Sequence, residues 1–162
     1  MQALPSSHEV PSGSRVPLDL VGIGSEQLRG LGSIPLNELP AFEASYRFFF
    51  NPIRYTSLGL AVCEAMMVGM PMIGLATTEM VTVIENGVSG FVDTDPDKLI
   101  LKMKTFLDDP SRAREMGQAA RRTAQNRFNL KRFARDWDTA IRKAISMTES
   151  AASANARSLG RI

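Results

Sequence analysis

Apolar residues fall along this chain in two periods. Short, mainly apolar runs at 18–22, 47–51 and 71–75 read as strands buried on both faces, as in a parallel sheet. Shorter runs at 31–34 and 90–92 complete five expected strands. Between them, apolar residues recur at three- and four-residue steps. Leu36, Leu39 and Phe42 mark a helix over 36–45, and Leu58, Ala61, Val62, Ala65 and Met66 one over 57–68 that Gly69 ends. A short helix over 78–85 stops at Asn86 and Gly87. Asp95 and Pro96 open a helix through Leu99, Ile100, Met103 and Leu107, followed by helices over 111–127 and 129–147. The last carries Leu130, Phe133, Ala134, Trp137, Ile141 and Ile145 on one side. Strands alternating with helices predict an α/β fold, a mostly parallel sheet flanked by helices.

Composition narrows the partners. The 162 residues, 44% hydrophobic and 22% charged, suit one domain with a sizeable core. The expected division is a disordered leader over 1–15, the domain over 16–147 and a small-residue, disordered tail over 148–162. A net charge of +2 is too small to imply a nucleic-acid partner. Arg112, Arg114, Arg121, Arg122 and Arg127 read as a solvated basic face, because Ala113, Met116 and Ala120 mark the buried one. His8 is the only histidine, which excludes a His-based metal site or triad within this chain. Cys63, the only cysteine, allows no intramolecular disulfide and agrees with a reducing cytoplasm. Beside Glu64 on an apolar helix it reads as a core residue. No run approaches the roughly 18–20 apolar residues of a membrane span.

The candidate chemistry lies where the strand at 47–51 gives way to the helix at 57–68. Thr56 or Ser57 stands where it would cap the first turn. The helix's unpaired N–H groups near Thr56, Ser57, Leu58, Gly59 and Leu60, with Arg54 upstream, can receive a phosphate, and Gly59 lets the backbone come close. Glu64 is the only ionised residue of that helix and can accept hydrogen bonds from vicinal hydroxyls, as on a ribose. Gly22 and Gly24 begin a dinucleotide-type loop but lack its third glycine, since residue 27 is Gln, so on spacing alone a plain strand-to-loop turn is the better reading.

Residues 58–73 (Leu-Gly-Leu-Ala-Val-Cys-Glu-Ala-Met-Met-Val-Gly-Met-Pro-Met-Ile) and 83–92 (Val-Ile-Glu-Asn-Gly-Val-Ser-Gly-Phe-Val) closely resemble the C-terminal nucleotide-binding domain of retaining, family-4-type GT-B glycosyltransferases. The match continues through Leu107, Asp108, Asp109, Pro110 and Ser111 and covers roughly residues 18 to 146. It implies a Rossmann-like domain holding a nucleotide diphosphate sugar as donor substrate, with no other cofactor, and with Glu64 as the second Glu of the family's paired-Glu motif. Gly22 and Gly24 would then sit close to the nucleotide.

Three departures qualify what is carried over. Thr56 stands where the family usually has its first Glu, a sugar contact. Thr77 and Thr78 stand where many relatives have two glycines. The Arg and Lys that normally hold the diphosphate would fall in the leader, where Arg15 is the only basic residue. The expectation is a chain truncated on its N-terminal side, lacking the first GT-B domain and inactive alone. It is expected to be cytoplasmic, at most peripheral to the inner face of the membrane. A non-catalytic nucleotide-binding or interaction module is the alternative.

Overall fold

The computed structural model describes residues 2–3, 16–55 and 57–159. It divides into two compact units, Met1–Asn126 and Arg127–Ile162, where the sequence pattern carried one domain through residue 147. The first unit contains β1 (Gln2–Ala3), β2 (Leu18–Asp19), a 3-10 turn (Ser25–Leu28), α1 (Leu39–Ala44), β3 (Phe49–Asn51), α2 (Leu60–Val68), β4 (Met72–Leu75), α3 (Met80–Val83), β5 (Gly90–Asp93), α4 (Pro96–Asp108) and α5 (Pro110–Arg127), whose final residue passes into the second unit. The second is built on α6 (Leu130–Leu159).

The sheet runs in the order β2-β1-β3-β4-β5. β3 pairs with β4, and β4 with β5, in parallel, with Phe49 opposite Met72 and Met72 opposite Gly90. β1 is antiparallel to both β2 and β3. β2, β3, β4 and β5 therefore share one direction, and the expected α/β fold with a mostly parallel sheet is what the chain forms.

Two strand expectations change. Residues 31–34 form no strand, because Gly32 turns the chain at a φ of 78° and Pro35 has no N–H to lend a ladder. Leu31 N–H instead donates to the Leu20 carbonyl at 2.8 Å and Gly22 N–H to that of Gly32 at 2.9 Å, closing a loop after β2. The fifth strand is Gln2–Ala3, within the expected disordered leader; residues 4–15 lie outside those described.

The core lies between the sheet and α4. Phe106, fully buried, packs on Phe48 at 5.9 Å and on Phe91 at 5.6 Å between ring centroids, with Ile73, Leu99, Met103 and Met116 around them. Six core side chains are methionines: Met66, Met70, Met72, Met80, Met103 and Met116. Asp95 caps α4 by accepting from Asp97 N–H at 3.0 Å, and Pro96 occupies the first turn, where a missing N–H costs nothing. Asp109 Oδ1 accepts from the N–H groups of Ser111 and Arg112 at the start of α5.

In the second unit Asn129 Oδ1 accepts from Arg132 N–H at 2.8 Å and opens α6. Arg132–Asp136 and Asp138–Arg142 pair along its polar side. Leu130, Phe133, Trp137, Ile141 and Ile145 are exposed. The helix continues to Leu159, through the stretch expected to be a disordered tail. Propagating an established helix costs little, and Ala151, Ala152, Ala154 and Ala156 are the best formers of it.

Gly69 ends α2 in the left-handed region at a φ of 98°, its N–H shared between the carbonyls of Ala65 and Met66. α5 crosses it through Gly117, and a Cβ on Gly117 would collide with the Gly69 carbonyl oxygen. Gly117→Ala is therefore expected to destabilise the larger unit by about 1–3 kcal/mol, the range for overpacking. A urea titration should show a lower midpoint at unchanged slope; an unshifted midpoint would mean the two backbones can part freely.

Candidate functional site

Because β2, β3 and β4 point the same way, the loops that follow them leave the same edge of the sheet, the position where open α/β sheets bind ligands. The first loop carries Gly22 and Gly24, at φ values of 130° and 80°, with open space where each Cβ would be. Buried Ser25 holds it closed, its Oγ accepting from Gly32 N–H at 2.9 Å. The second runs from Pro52 to Gly59. Asn51 fixes its start: the buried side chain accepts from Ile53 N–H at 3.3 Å and donates to Met80 Sδ at 3.6 Å. Arg54, Tyr55 and Ser57 are exposed. Thr56 lies outside the described residues.

The third loop, after β4, is joined to the second, Thr77 Oγ1 donating to the Ile53 carbonyl at 3.2 Å. Thr78 stands at a φ of 46°, a conformation a β-branched residue adopts only under strain. That backbone is why glycine suits this position, and the apolar–polar pattern alone gives no sign of it.

α2 starts later than expected. The N-cap is Gly59, at φ 84° and ψ 145°, so Ser57 does not hold that position, and among the described residues no side-chain cap bond is made. Gly59 has nothing within 4 Å of its would-be Cβ. Leu60 and Ala61 are exposed, so the first-turn N–H groups and the positive end of the helix dipole meet open space. Leu58 is half-buried behind them.

Glu64 is exposed one turn further along. It lines a cavity of about 400 Å³ with Glu43, Arg121 and apolar residues of α1 and α2. Arg54 lines a different one. The fold thus brings Gly22, Gly24, Arg54, Ser57, Gly59 and Leu60 to one edge but opens Arg54 and Glu64 onto separate cavities. Burial, together with the Glu64 carboxylate, pushes the Cys63 thiol up, which keeps it from being a ready nucleophile. Among the described residues no cluster of His, Cys, Asp and Glu is placed to hold a metal ion, and no helix is long and apolar enough to cross a membrane.

Glu43, which the sequence pattern did not single out, is 2% exposed. Burial first, and then Glu64, raises its pKa from 4.5 to about 7. The folded state thus binds this proton more tightly than the unfolded one, so its stabilising contribution is complete below about pH 4.5 and is lost as pH rises through about 7. Urea midpoints measured between those values should fall with rising pH, and Glu43→Gln should flatten the trend. An equal slope in both proteins would assign the dependence elsewhere.

Residues 24–123 match the family model described as glycosyl transferases group 1. A trehalose synthase of Pyrococcus horikoshii is 29% identical over 101 residues, 62% of this chain and 24% of that protein. Among solved structures, a sucrose-phosphate synthase from Thermosynechococcus elongatus aligns with a TM-score of 0.66 at 24% identity, over 73% of this chain and 30% of its own. Anabaena HepE, solved with UDP and glucose, aligns at 0.57 and 19% identity, over 81% and 39%. The chain therefore spans well under half the length of each of these relatives.

Proposed function

This chain belongs to the group 1 glycosyl transferases, and we propose that it is the donor-binding half of such an enzyme, holding the diphosphate of a nucleotide sugar at the carboxyl edge of its sheet. The observation that carries this reading is the start of α2 at Gly59, where a Cβ would meet open space, with exposed Arg54 in the loop that leads to it. Backbone N–H groups and a guanidinium there would take up the negative charge that builds on the diphosphate as the bond to the sugar breaks. Glu64 would accept hydrogen bonds from the ribose hydroxyls. That HepE was solved with UDP and glucose supports a nucleotide sugar as the ligand class. In this reading a second Rossmann-like domain presents the acceptor, and the protein works in the cytoplasm with Cys63 reduced.

One observation favours the non-catalytic alternative, a module that binds a nucleotide or a partner without turnover: Arg54 and Glu64 open onto different cavities. Calorimetric titration with UDP tests the nucleotide site that the donor-binding reading requires. Glu64→Gln should weaken binding by about 1–3 kcal/mol, the loss of charge-assisted hydrogen bonds, with the melting temperature unchanged. Equal affinity in both proteins, or no binding by the wild type at millimolar UDP, removes the ribose role of Glu64.

The 162-residue chain by itself is expected to bind the donor without transferring or hydrolysing its sugar. Turnover of UDP-glucose by the purified protein would show that the donor half suffices for chemistry.

A further inference from the structure

Between the sheet and α4 lies a cavity of about 720 Å³. Its walls are Leu18 of β2, Phe50 of β3, Leu75 of β4, and Leu99, Ile100 and Met103 of α4. Leu18 and Phe50 are only partly buried although they pack on the core, so the described residues leave this face of the sheet incompletely covered. The lining has two exceptions to its apolar character, Arg54 and Lys104, and no carboxylate. Neither cation forms an ion pair among the described residues. Ile100 is 42% exposed.

We propose that this cavity is a binding site for an anionic amphiphile, an apolar chain or ring system ending in a single phosphate or carboxylate. Its volume is that of a pocket for a small organic ligand, and such pockets pair apolar walls with a few charged groups that fix orientation. Burying the chain removes apolar surface on both partners from water. The head group meets Arg54 or Lys104, the exposed cations at the rim of the lining, through a charge-assisted hydrogen bond that fixes its orientation. A neutral apolar ligand would leave both cations unused, and a cationic one would be repelled by them. The site is walled by α4 rather than by the start of α2, and of the residues assigned to the diphosphate it shares only Arg54.

The probe is octyl phosphate, titrated below its micellar range into the 162-residue chain and followed by calorimetry. Octyl glucoside and inorganic phosphate serve as controls for the chain and the head. Saturable binding of octyl phosphate is expected, at least about tenfold tighter than octyl glucoside, with none by inorganic phosphate over the same range. Ile100→Glu, which places a like charge against the head and chain at a partly exposed position, should weaken it by a similar factor. So should Lys104→Glu or Arg54→Glu, whichever meets the head. UDP binding should be untouched by Lys104→Glu, so failure here and failure of the nucleotide reading are told apart. The inference is overturned if folded wild type binds no octyl phosphate, if octyl glucoside binds equally well, or if all three variants melt normally and keep full affinity.

Discussion

The arrangement of the larger unit depends on β4. Its four residues, Met72–Leu75, are all buried, and it is hydrogen-bonded in parallel on both sides. Two glycines make this pairing possible. A Cβ on Gly90 would collide with the Met72 carbonyl, and one on Gly74 would come within 2.9 Å of that of Asn51. With β4 fixed between β3 and β5, the chain must return to the same end of the sheet after each strand, which forces α2 and α3 to act as crossovers. The loops after β3 and β4 leave the same edge of the sheet for that reason.

Much of this was legible in the residues. The apolar runs placed β2, β3, β4 and β5, and Gly69, Asp95 and Pro96 marked helix ends, because these signals act within a few residues. The two ends of the chain were less legible, for a shared reason. Whether Gln2 and Ala3 pair into a sheet depends on partners distant in sequence, and whether α6 stops near residue 147 depends on an energy difference per residue too small for composition to decide. The run at 31–34 has strand-like residues, yet the positive φ of Gly32 and the bonds to Leu20 and Gly22 make it part of a loop.

The site was legible as a set of residues and less so as a geometry. A hydroxyl residue before an apolar helical stretch is the usual sign of a cap, but the helix begins later, at Leu60, with Gly59 before it. Glu43 was hidden because a glutamate among Leu, Pro and Phe reads as one polar position of an amphipathic helix. Only the packing of α1 reveals that it is 2% exposed.

The methionine-rich interior gives the larger unit an unusual relation to oxidants. A thioether becomes a sulfoxide only when peroxide reaches the sulfur, and Met66, Met70, Met72, Met80 and Met103 are at most 2% exposed, whereas Met147 on α6 is 64% exposed. Met147 is therefore modified at the rate of the bare reaction, while the buried sulfurs wait for the structure to open. Each sulfoxide formed inside adds a polar oxygen where apolar packing was required, so a molecule that opens once is less able to close again. Oxidative ageing of this protein is thus self-accelerating, and the order in which its methionines are lost records which parts of the core open first.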